Sequence, residues 1–200
     1  MTTKIIAITV STNYVDKLKL IIKNKDLFHK WYIITSKDDT DTINYITNLD
    51  CNNIELLFFD FNSNNSIFNF GGARRHGQLQ CNDDDIVLFL DSDIILPNNF
   101  LQIINTINFE NNVLYGIRHR YDYHSKESFK NNTPDQIHDM SIHKFIFGFF
   151  QLYKHNSNLL YNNSNTASVT DLEFNHKFRK KILITDIICK HIGIYNYKIL

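Results

Sequence analysis

Two aspartates two positions apart, Asp91 and Asp93, end the apolar run Ile86-Val87-Leu88-Phe89-Leu90. Five consecutive apolar side chains predict a buried strand. The twofold period of a strand predicts that Asp91 and Asp93 point the same way where it ends. Like charges at the end of a buried strand repel, and a divalent cation held by hard oxygen ligands would offset that repulsion. The alternative is that the aspartates open a turn before Pro97, which accounts for one of them better than for both.

A second stretch that could do chemistry is Asn69-Phe70-Gly71-Gly72-Ala73-Arg74-Arg75-His76-Gly77. Glycines ahead of a helix let the backbone approach a ligand, and the helix start offers free amides. Arg74 and Arg75 can fork onto phosphate oxygens or a base edge. Against this, the glycines could simply make a turn and the arginines could be solvated. Further on, Thr170-Asp171-Leu172-Glu173 reads as a capping box with Asp171 in the first helical turn. Cys51, Cys81 and Cys189 have no metal-ligand spacing, and no histidine pair has the helical spacing of a zinc site.

The elements that must position these residues follow from periodicity. Strands are expected at 4–10, 31–35, 54–59, 86–90 and 113–118, with helices at 15–24, 40–49, 72–80 and 98–108 between them. Val15, Leu18, Ile21 and Ile22 form one apolar stripe. Such alternation implies a mainly parallel sheet covered on both faces, with ligands at the carboxyl ends of its strands. After Arg120 the pattern is α+β: an apolar strand at 145–153, a helix at 171–180, and apolar stretches at 182–185 and 187–189. Residues 62–69 form a polar loop tract.

The chain of 200 residues fits one domain, and its 21 basic residues balance 21 acidic ones. No global field favours nucleic acid or an anionic membrane, so an anionic ligand must be held locally. No apolar run reaches membrane-spanning length. With a first strand from Lys4 there is no room for a signal peptide, and an odd, scattered set of cysteines fits a reducing compartment. The expected location is the cytoplasm.

Together these stretches resemble the GT-A family of nucleotide-sugar glycosyltransferases. The family's Asp-x-Asp motif matches Asp91-Ser92-Asp93. Its small-small-Arg-Asn-x-Gly helix matches Gly72-Ala73-Arg74-Arg75-His76-Gly77, with Arg75 in place of Asn. Its Glu-Asp-x-Glu-Phe segment matches Thr170-Asp171-Leu172-Glu173-Phe174, with Thr170 in place of Glu. The resemblance implies an α/β fold, a GT-A (Rossmann-like) three-layer sandwich with a mainly parallel central sheet and a small α+β acceptor portion. Residues 1–200 would form one domain, about 1–120 binding the nucleotide sugar and about 121–200 the acceptor.

The resemblance further implies nucleotide contacts from Thr9, Ser11 and Tyr14 and from Gly72, Arg74, Arg75, Asp91 and Ser92. Asp38 or Asp39 would meet the base, although both, with Asp41, equally suit the start of the helix before Ile43. Gln151, in the Gly-aromatic segment Gly148–Tyr153, would meet sugar hydroxyls. Mn2+ or Mg2+ would be held by Asp93 with Asp91 and by His191, which could otherwise be a structural histidine. Asp171 would be the base of an inverting displacement, with Glu173 in reserve. The implied activity is metal-dependent transfer from a UDP-sugar to a glycan or other hydroxyl acceptor. The compact size resembles small domains of giant DNA viruses, implying a viral glycan pathway in the host cytoplasm. Two rivals remain: a non-catalytic nucleotide-sugar or glycan-binding domain, and a haloacid-dehalogenase-type phosphatase, whose Asp-x-Asp usually ends the first strand rather than the fourth.

Overall fold

The computed structural model describes residues 3–63, 68–163 and 167–192. The centre of the expected polar tract, at 64–67, and Gly193 after His191 lie outside them. The elements run β1 (Ile5–Val10), α1 (Val15–Ile21), β2 (Lys30–Thr35), α2 (Thr40–Thr47), β3 (Ile54–Phe58), α3 (Phe70–Gln78) and β4 (Ile86–Leu90). They continue β5 (Ile94–Ile95), α4 (Phe100–Ile104), β6 (Val113–Asp122), α5 (Lys126–Lys130), β7 (Gln136–Asp139), β8 (Phe150–Lys154), α6 (Ala167–His176) and β9 (Lys180–His191).

The strands form one mixed sheet in the order β3-β2-β1-β4-β8-β6-β9-β5, with β7 pairing on β6. The β3-β2-β1-β4 half is parallel throughout. Beyond it, β8 runs antiparallel between β4 and β6, so a strand from the second half of the chain lies beside the strand that ends in Asp91. β6 and β9 are parallel and pair almost from end to end. Their register shifts where the two steps from Ile117 to His119 face the four from Ile184 to Ile188.

Alternation along the central strands builds two cores. Ile5, Ala7, Leu88 and Leu90 pack on one face with Leu18, Trp31 and Phe100. Ile6, Ile8, Val87 and Phe89 pack on the other with Ala73, Tyr153 and Phe174. β4 is buried from Val87 to Leu90, and each such side chain contributes about 1.5–3 kcal/mol of transfer free energy. This is the expected three-layer α/β arrangement.

Several boundaries differ from expectation. The first helix gives way after Ile21 to a 3-10 segment, Ile22–Leu27. Within it, buried Asn24 donates to the Ile94 carbonyl at 2.9 Å and accepts from the Leu96 amide at 3.1 Å, acting as a peptide partner for β5. The expected helix at 98–108 shortens to Phe100–Ile104. Residues 145–149 are not strand; Phe145, Phe147 and His143 pack on one another instead. The helix expected from Asp171 begins at Ala167, so Thr170 and Asp171 lie inside it and form no capping box. The stretches at 182–185 and 187–189 are one strand, β9.

Candidate functional site

β4 delivers Asp91 to the sheet's carboxyl edge, where the Asp91 amide donates to the Phe149 carbonyl at 3.2 Å and the chain turns into β5. The two carboxylates take different partners. Asp91 accepts from Arg74 Nη2 at 2.9 Å. Asp93 Oδ2 lies 3.5 Å from His191 Nε2 and 3.8 Å from Lys17 Nζ.

Arg74, on α3, is only 2 % exposed. Its Nη1 donates to Tyr161 Oη and Asp171 Oδ1, both at 2.7 Å, and its Nη2 also donates to the Gly148 carbonyl at 2.8 Å. The guanidinium stacks over Phe70, 4.5 Å from the ring centre. Burial disfavours its charge, but Tyr161, Asp171 and Asp91 hold its pKa above the ordinary value. Tyr161 Oη donates in turn to Gln151. A Cβ on Gly148 would lie 2.0 Å from Asp171 Oδ2, so only glycine leaves room for that carboxylate. Asp171 is therefore one limb of a buried ion-pair network. Burial pushes the Asp91 carboxyl up, Arg74 pulls it down, and the charges of Asp93 and Asp171 push it up again, to about 6.

On the other side of the turn, His191 ends β9. Its Nδ1 lies 3.2 Å from Oδ1 of Asp122, the fully buried residue opposite it at the end of β6. Burial works against a charged imidazole, yet hydrogen bonds to Asp122 and Asp93 raise His191 to about 9. Asp122 is held below the usual carboxylate range against its burial by His191 and by a two-pronged bond from Arg120.

The remaining candidates are placed as follows. Thr9 is buried and its Oγ1 accepts from Trp31 Nε1 at 2.9 Å. Ser11, at the end of β1, is also buried, and its Oγ has no hydrogen-bond partner among the described residues. Tyr14 is exposed, with Lys17 Nζ 4.5 Å above its ring. Asp39 caps α2 by accepting from the Thr42 amide at 3.1 Å and braces the β1–α1 loop through the Asn13 amide at 2.6 Å. Asp38 is exposed beside it.

The Gly72 amide donates to the capping Asn69 at 2.8 Å, so it is engaged within the helix start. Arg75 is exposed in the last turn of α3. Ser92 is buried in the turn. Gln151 is wholly buried, donating to the Ile146 carbonyl at 3.1 Å. Glu173 is exposed and accepts from Asn162 at 3.1 Å.

The fold thus brings Asp91, Arg74 and Asp171 together, and separately Asp93 and His191. Three neighbours were missed in the sequence. Asp122 could have been found from its i, i+2 spacing to Arg120 on one strand face, whereas Lys17 and Tyr161 carry no local signal. Among the described residues, no three His, Cys, Asp or Glu side chains form a ready-made metal cluster. Asp93 and His191 do offer an adjacent oxygen and imidazole nitrogen, a donor pair that suits Mn2+ once a ligand or water adds further oxygens.

No protein-family model and no curated protein matches the sequence. Solved structures do share its fold. HddC from Yersinia pseudotuberculosis superposes with a TM-score of 0.55 at 10% identity, covering 96% of this chain and 93% of its own. A 4-diphosphocytidyl-2C-methyl-D-erythritol synthase gives a TM-score of 0.53 at 12% identity, covering 93% and 90%. The inositol-1-phosphate CTP transferase from T. maritima gives 0.54 at 8% identity, covering 100% and 95%.

These neighbours correct the glycosyltransferase reading. Two of the three similar folds are named for cytidyl or CTP chemistry and none for sugar transfer, so the resemblance to GT-A glycosyltransferases does not hold. With it go sugar transfer from a UDP-sugar to a glycan, the viral glycan pathway and the rival binding-domain and phosphatase readings. The physical reason is that an acidic strand end beside a Gly-Arg helix serves any metal-bound nucleotide phosphate. It does not specify the group transferred. No helix among the described residues is long and apolar enough to cross a membrane.

Proposed function

We propose that the protein is a nucleotidyltransferase that uses CTP, with Mn2+ or Mg2+, to cytidylylate a phosphorylated sugar or alcohol. The carrying observation is that Oδ1 of Asp171 accepts from the buried guanidinium of Arg74 at 2.7 Å. A carboxylate oxygen held in this way is not free to meet an acceptor hydroxyl. A hydroxyl nucleophile needs a base, whereas a phosphate monoester, with a second pKa of about 6, is already ionised at neutral pH. An oxygen of the acceptor phosphate would attack the α-phosphorus of CTP, and the bond to the β-phosphate would break to release pyrophosphate. The names of the fold neighbours support CTP as donor.

In this reading Asp93, with Asp91 and His191, would hold the metal. The ion would supply the positive charge that gathers the phosphates. Lys17, 3.8 Å from Asp93, would add charge beside them, and Ser11 would offer its unpartnered hydroxyl at the end of β1. Residues 1–200 would work as one unit, because β8 of the second half borders β4 of the first. A cytoplasmic setting fits these soluble substrates and the free thiols of Cys51, Cys81 and Cys189.

The test is pyrophosphate release with each of the four ribonucleoside triphosphates, Mg2+ or Mn2+, and a panel of sugar and polyol phosphates. CTP-selective release that requires a phosphorylated acceptor is expected. Failure of any triphosphate to bind or turn over with any acceptor would overturn the assignment.

A further inference from the structure

We propose that Asp122 is a positioning residue that orients the imidazole of His191 so that Nε2 faces a metal ion shared with Asp93. This rests on the metal site assigned above but not on the identity of the nucleotide.

The arrangement is built into the sheet. Asp122 and His191 are opposed in the β6–β9 register. The Tyr123 amide donates to the His191 carbonyl at 3.0 Å, and the Ile192 amide donates to the Asp93 carbonyl at 3.0 Å. The backbones carrying all three side chains are therefore tied together by adjacent hydrogen bonds.

Within that frame Asp122 is immobilised. Arg120 donates to it from Nε at 2.8 Å and Nη2 at 3.1 Å, a fork that fixes the carboxylate plane. His138 Nε2 lies 3.0 Å from Oδ2, the oxygen that also accepts from Arg120 Nη2. An ionised carboxylate only accepts hydrogen bonds, so the contact at 3.2 Å makes His191 Nδ1 the donor. The remaining ring nitrogen, Nε2, is then the one 3.5 Å from Asp93 Oδ2. A carboxylate on the far nitrogen is the usual means of fixing the tautomer and ring angle of a metal-binding histidine.

The test is Mn2+ binding, followed by electron paramagnetic resonance or calorimetry without nucleotide, in the wild type, Asp122→Asn, His191→Gln and the double variant. Asp122→Asn should weaken Mn2+ binding about tenfold in the wild-type background and leave it unchanged in the His191→Gln background. Equal losses in both backgrounds would mean a merely structural role and would overturn the proposal. So would no loss in either.

Should Asp122→Asn fail to fold, the wild type with Cd2+ gives the answer by imidazole 15N NMR. Only Nε2 of His191 should shift on metal addition while Nδ1 stays protonated. A shift of Nδ1, or of neither nitrogen, would overturn the assignment. Mn2+ binding in the expected pattern without pyrophosphate release from CTP would sink the proposed reaction and leave the role of Asp122 standing. Turnover of CTP without dependence of Mn2+ binding on His191 would do the reverse.

Discussion

Asp91 and Asp93 are two residues apart, yet one is clamped and the other is loosely held. The partner of Asp91 is a guanidinium 3 % exposed, at 2.9 Å, that also grips Asp171 and Tyr161. The partners of Asp93 sit at 3.5 and 3.8 Å on side chains 13 % and 22 % exposed. The difference lies in the distance and burial of each contact. All four Nη N–H groups of Arg74 are engaged at 2.7–2.9 Å, whereas Lys17 and His191 stand farther from Asp93. The first carboxylate is anchored to the buried guanidinium, and the second meets its cations only at longer range.

The sharpest way to break this comparison is Arg74→Met. It strands Asp91 and Asp171 without their counter-charge and should lower stability by about 3–5 kcal/mol in urea denaturation. A loss below about 1 kcal/mol would mean that Asp91 is held no more firmly than Asp93.

Gly148→Ala should cost about 1–3 kcal/mol by the same measurement, because a methyl group and the pinned Asp171 carboxylate cannot share the space. Unchanged stability would show that Asp171 is free to move.

A smaller effect separates the two aspartates by pH. Folding raises Asp91 from 3.8 to about 6, so its contribution is fully present below pH 3.8 and is lost as the pH climbs through 6. In metal-free protein, Asp91→Asn should remove that fall between about pH 4 and 6, seen as a flatter stability profile than the wild type. Parallel profiles for the two proteins would contradict it.

Least disturbing to the fold should be Asp93→Asn, at about 1 kcal/mol or less. The same variant should weaken Mn2+ binding by about tenfold or more in calorimetry. Strong destabilisation with intact Mn2+ binding would invert the comparison.

The parallel half of the sheet was legible in the sequence because each strand is a local apolar run and each helix a local stripe. Expectation and structure coincide at Ile86–Leu90. The antiparallel insertion of β8 was not legible, since nothing in residues 150–154 states which strands it will border. The candidate site divides in the same way. That Asp91 and Asp93 stand at a strand end follows from their immediate neighbours. That Arg74 turns inward follows from Asp171 and Tyr161, 97 and 87 residues away, and no local pattern distinguishes such an arginine from a phosphate ligand. The sequence suits Asp39 equally to a helix start and to a base contact; its bond to the Thr42 amide at 3.1 Å makes it the cap of α2.

The register shift between β6 and β9 has a consequence for tolerance to length change. From Ile117 to His119 one strand advances two residues while the other advances four, from Ile184 to Ile188. The surplus coincides with Thr185 and Asp186, both exposed, just before buried Ile187. The ladder therefore carries two residues of slack upstream of the end that bears His191. A chain shortened by those two could close the bulge and still bring His191 opposite Asp122. Removal of a single residue would turn every later side chain of β9 to the wrong face. Along this strand, deletions should be tolerated in pairs.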